Sequence, residues 1–180
     1  MTIVEYKEEW ADQFSRIKCV LENNLTRIVK IEHVGSTAIK GLCAKPLIDI
    51  DAVIEDKNDF EEVKKELELF GYSHRGDLGI IGREAFNRNG TINNEVLDSI
   101  DHNLYVCAQT SEELRRHLLF RDYCNKHIEA REEYRKIKME IIEKYGNEDR
   151  AGYVQAKENE YRWFFEKIIK EAEFENEGRS

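Results

Sequence analysis

The stretch that most constrains this chain is residues 46–54, PLIDIDAVI, where apolar residues alternate with two aspartates. A period of two is the mark of a strand. It sends Leu47, Asp49, Asp51 and Val53 to one face, while Ile48, Ile50, Ala52 and Ile54 line the other, a core face. Aspartate is disfavoured in strands, and two carboxylates roughly 7 Å apart on one face repel unless they are solvated or bridged by a cation. A divalent ion removes that repulsion. Magnesium, with manganese as the alternative, suits the pair because it takes one or two carboxylates plus phosphate oxygens and keeps several waters.

The turn just upstream supplies the complementary half. In HVGSTAI, residues 33–39, Gly35 lets the backbone approach an anion closely, and Ser36 and Thr37 offer hydroxyl and N–H groups if a short helix opens there. The order G-x-x-x-x-G-K-[ST] is absent, because Lys40 precedes Gly41 and no hydroxyl residue follows Lys45, so this is not a P-loop. Alone, a Gly-Ser turn is common punctuation and an alternating aspartate pair is the wet face of an antiparallel sheet. Together they place phosphate at the turn and metal on the strand. That resembles the pattern of the nucleotidyltransferase superfold, which implies a nucleoside triphosphate as the ligand.

The rest of the chain reads as α+β. Trp10, Phe14, Ile17 and Leu21 predict a helix that ends near Asn23 and Asn24 and packs on a sheet. RIVKIEHV, GREAFNRN and DHNLYVCA read as further strands, the last two joined by a polar loop or hairpin connection. Between them, Asn58 with Glu61 marks the start of a helix whose stripe of Phe60, Val63, Leu67 and Phe70 runs to Gly71. From a Thr110–Glu113 capping box onward, breaks near His127 and Gly146 predict three helices. The whole forms one domain over 1–175, a mixed-sheet core at 1–108 and packed helices at 109–175, with a frayed tail at 176–180.

Composition excludes several classes. A net charge of −9 opposes any broad grip on nucleic acid, leaving room only for a local basic pocket. The four cysteines, Cys19, Cys43, Cys107 and Cys124, lie far apart without a C-x-x-C pair, which points to reduced thiols. Neither a secretory leader nor an apolar run of membrane-spanning length is present, so a cytoplasmic protein is expected. No oligomeric state is indicated.

IEHVGSTAIKGLCAKPLIDID resembles the signature of the GrpB-like family, and VEYKEEWADQF, GREAF, HNLYV, LLFRDY and YRKIK resemble its other motifs. The resemblance implies a nucleotidyltransferase-like mixed sheet flanked by helices. Gly35, Ser36 and Thr37 would hold a triphosphate, and Asp49 and Asp51 would be the catalytic carboxylates and hold the metal. Lys45, Arg83, His102 and Arg121 lie in the resembling stretches and are expected to clamp phosphate. Active members of the superfold add a third acid from a neighbouring strand. Here His102 stands where it is expected, with Asp101 or Glu84 as substitutes. The implied activity is metal-dependent transfer of a nucleotidyl group to a small-molecule or protein acceptor. The alternative is a catalytically weak nucleotide- or coenzyme A-related binding module. His33, His117 and His127 lack metal-site spacing and read as structural, as do Trp163, Phe164 and Phe165.

Overall fold

The computed structural model describes residues 2–146 and 150–178. Its centre is a five-stranded mixed sheet of β1 (Ile28–Val34), β2 (Ile48–Ile54), β3 (Tyr72–His74), β4 (Arg83–Arg88) and β5 (His102–Ala108), in the order β1-β2-β5-β4-β3. Only β2 and β5 run parallel; every other neighbouring pair is antiparallel. The helices are α1 (Glu9–Asn24), α2 (Phe60–Leu69), α3 (Glu95–Ser99), α4 (Glu112–Lys126), α5 (Ile128–Tyr145), α6 (Arg150–Asn159) and α7 (Arg162–Glu177).

Strand alternation divides the chain into two packed zones. The even residues of β2 and β5, from Ile48 and Ile50 to Leu104 and Val106, meet Trp10, Ile17 and Leu21 of α1 and Val63 and Leu67 of α2. Burying side chains of this size contributes about 1.5–3 kcal/mol each, which fixes the register of every central strand. The other zone gathers Tyr134, Ile137 and Ile141 of α5, Phe164 and Ile168 of α7, and Ile39 and Leu42 from the segment after the Gly-Ser turn. Leu114 of α4 completes the cover by touching Val53 and Cys107 on the odd face. The aspartate face is therefore not a wet surface but the floor beneath a helical layer.

Several local readings need correction. The connection between β4 and β5 contains a helix, α3, because the Asn94 side chain accepts the N–H of Leu97 at 3.0 Å. The α2 start is set by Asp56, which forms a capping box with Asp59 over a 3-10 turn, rather than by Asn58 and Glu61. Ser111, not Thr110, caps α4. The last predicted helix is two, α6 and α7, broken where Glu160 and Tyr161 both donate to the Ala156 carbonyl. Helix α7 also reaches Glu177, into the expected tail; Arg179 and Ser180 lie outside the described residues. The four cysteines are free, and among the described residues no helix is long and apolar enough to cross a membrane.

Candidate nucleotide-binding site

The antiparallel register places Val34 opposite Asp49 and Glu32 opposite Asp51, so the Gly-Ser turn at the end of β1 lies against the first aspartate. Gly35 has φ +73°, and a Cβ there would overlap Asp49 Oδ2. Only glycine meets both demands. Gly35→Ala is accordingly expected to cost about 1–2 kcal/mol, from the left-handed backbone and the displaced carboxylate, measured by urea unfolding. Ser36 and Thr37 follow in a 3-10 turn over Ser36–Ala38.

The two aspartates share the face as expected, but their surroundings differ. Asp49 is half-buried and its Oδ1 accepts from Asn103 Nδ2 at 2.8 Å. Burial raises its pKa above the usual carboxylate range, and the Asn103 bond counters part of that rise. Asp51 is wholly buried, at 0% exposure. Its Oδ1 accepts from Arg83 Nε at 3.3 Å and its Oδ2 from His117 Nδ1 at 2.7 Å. His117 Nε2 lies 3.2 Å from Glu113 Oε1. Burial disfavours the imidazolium, yet the hydrogen bonds to Asp51 and Glu113 outweigh it and raise the His117 pKa.

Ser36 is held from the helical side. Its Oγ accepts from Lys138 Nζ at 2.9 Å and lies 3.3 Å from Tyr134 Oη, both on α5. Lys138 is 3% exposed. Burial, with the nearby Lys157 charge, pulls its pKa down to about 7. Above the turn opens a cavity of about 750 Å³, floored by Asp49 and Arg83 and walled by Phe120 and Phe165. In a chain of net charge −9, the described residues of its lining include five arginines and lysines, Arg83, Arg116, Arg121, Lys157 and Arg162, against three carboxylates, Asp49, Glu113 and Glu166.

Of the expected phosphate ligands, the structure brings Gly35, Ser36, Arg83 and Arg121 to this cavity. Arg121 is already engaged, donating to Glu32 Oε2 at 2.8 Å and to the His33 carbonyl at 3.0 Å. Thr37 is turned inward, its hydroxyl donating to the Leu47 carbonyl at 3.1 Å and lying 3.0 Å from His33 Nε2. Lys45 lies outside the lining, its ammonium 4.9 Å above the Tyr153 ring. His102 belongs to the opposite face. It pairs with Ile48 in the parallel register and sits 2.7 Å from both Tyr72 Oη and the Ile100 carbonyl. The residue beside Asp49 is Asn103. Glu84 is also on the far face, bound to His74 at 2.7 Å, and Asp101 precedes β5 and is exposed. His33, by contrast, fits its structural reading: it stacks on Phe14, and burial keeps it neutral with a pKa of about 4.

These positions test the metal centre. Among the described residues, no group of three or more histidine, cysteine, aspartate or glutamate side chains is arranged to hold an ion. Both Asp51 oxygens already have hydrogen-bond partners, Arg83 and His117, and the neighbouring strand offers an amide. A two-ion centre does not fit this donor set.

A family model described as GrpB protein matches residues 1–171. Glutamate-rich protein GrpB of Alkalihalophilus pseudofirmus is 34% identical over 171 residues, 94% of each chain. UPF0157 protein YqkA of Bacillus subtilis is 30% identical over 173 residues, 89% of this chain and 47% of that one. The crystal structure of GrpB from Enterococcus faecalis, 27% identical, matches with a TM-score of 0.75 over 94% of this chain and 96% of that chain. Cid1 poly(U) polymerase bound to MgATP matches with a TM-score of 0.51 at 12% identity, over 76% of this chain and 45% of that one, a likeness of fold alone.

Proposed function

The chain belongs to the GrpB family, and from that premise and the cavity above its Gly-Ser turn we propose that it binds a nucleoside triphosphate there. The observation that carries this is the charge of the cavity: among the described residues of its lining basic side chains outnumber acids, although acids dominate the chain. Ser36 and Lys157 meet the phosphates, and Phe120 and Phe165 offer flat apolar walls to a base. The volume suits a ligand of that size. Cid1, whose fold is shared, is a MgATP-bound protein in its own structure, which supports the ligand class.

A second reading is nucleotidyl transfer to a small-molecule or protein acceptor, with magnesium or manganese at Asp49 and Asp51. It is favoured by the shared face of the aspartates beside the turn. It requires Asp51 to give up Arg83 and His117, so the geometry supports binding above transfer.

Calorimetric titration with ATP, GTP, CTP and UTP tests the main reading. Lys157→Ala is expected to weaken binding about tenfold or more, the loss of one charge-assisted hydrogen bond. Absence of heat for all four nucleotides, with and without magnesium, sinks the proposal. Pyrophosphate release by the wild-type protein would move the balance to the second reading.

A further inference from the structure

Two carboxylates on one strand face need their charge cancelled, and the protein already supplies the means. Each oxygen of Asp51 faces its own basic group, Arg83 on β4 and His117 on α4. Both groups are themselves seated: the Arg83 guanidinium lies 3.3 Å from the centre of the Tyr105 ring, and His117 is anchored on Glu113. Across the sheet the same device recurs. Glu32, buried opposite Asp51, is paired with Arg121 and with Lys30. Asp49 takes its hydrogen bond from a neutral donor, Asn103. A divalent ion at Asp51 would have to displace Arg83 Nε and His117 Nδ1 from its two oxygens, and would leave the Arg83 charge beside a dication. Like charges so close repel, and magnesium sheds water reluctantly besides.

We propose that Arg83 and His117 take the place of a divalent cation at Asp51, so that this carboxylate is closed within its own network and the cavity receives its phosphate ligand without a metal. The statement about the phosphate ligand rests on the nucleotide-binding reading; the statement about the ion-pair network does not.

Two titrations separate them. Mn²⁺, followed by the electron paramagnetic resonance of the free ion, is expected to find no site at Asp49 tighter than about 1 mM in the wild-type protein. Binding that Asp49→Asn leaves unchanged belongs to surface acids and agrees with this. Tighter binding that Asp49→Asn abolishes overturns the proposal. The double variant Arg83→Met with His117→Asn is expected to gain a Mn²⁺ site. A folded double variant that still ignores the ion shows that something else excludes it, and also overturns the assignment. If that variant fails to fold, the wild-type titration alone decides.

ATP is then titrated in excess magnesium and in EDTA. Affinities equal within about threefold are expected, and a strict requirement for magnesium defeats metal-free binding. No ATP binding in either buffer removes the nucleotide reading and with it metal-free phosphate binding, while the Mn²⁺ titration still judges the ion-pair network.

Discussion

Asp51→Ala is expected to lower folding stability by about 3–5 kcal/mol, because it leaves Arg83 and His117 inside the protein without the carboxylate that both face. The loss comes from stranded charge more than from the missing contact. The energy is therefore expected to be strongly non-additive: adding Arg83→Met and His117→Leu to Asp51→Leu should recover most of it, since a well-packed apolar trio removes the unpaired groups. Urea unfolding of the single and triple variants measures this directly. A triple variant no more stable than Asp51→Ala would mean that packing, rather than charge, holds the network together.

Lys138→Met is expected to act in the opposite direction, stabilising the fold by about 2 kcal/mol at pH 6 while weakening triphosphate binding. The wild-type lysine is buried against Ser36, and its pKa falls from 10.5 to about 7. Every tenfold loss of proton affinity corresponds to about 1.4 kcal/mol, of which the lost hydrogen bond to Ser36 returns a part. The sign with pH follows from proton counting. Below about pH 7 both folded and unfolded chains carry the proton, and the folded chain bears the full cost of burying the charge. Between about 7 and 10.5 only the unfolded lysine stays protonated, so the wild-type protein gains stability as pH rises. The advantage of the methionine variant should therefore be largest at pH 6 and shrink toward pH 9. At about 2–4 °C per kcal/mol, the difference at pH 6 is a rise in Tm of several degrees. An advantage that grows with pH would contradict the assignment of a discharged lysine.

The floor of the cavity was legible before any fold was known, because alternation alone puts Asp49 and Asp51 on one side and Gly35 marks where backbone must come close. The lid was not. His117 lies 66 residues from Asp51, and Lys138 lies 102 residues from Ser36. Nothing local in α4 or α5 says which strand its polar side chains will meet. The i,i+4 spacing of Glu113 and His117 was the one available hint, and it indicates only that they share a helix face. The misplacement of His102 has a different origin. A shift of one residue in a strand exchanges its faces, and the parallel register aligns Asp49 with Asn103. Strand β3, three residues long, is too short to show any period. Glu32 was overlooked because a single acid in a strand otherwise reads as solvated.

The parallel alignment of β2 with β5 also bears on biosynthesis. Residues 55–101 must be made and looped out before these neighbours can meet, and a loop of that length carries a closure penalty that local hairpins escape. The helices that cover the carboxylates follow later still on the ribosome. A nascent chain halted after β2 would therefore display two unneutralised aspartates to water, and only translation through α4 delivers the histidine that quiets the second of them.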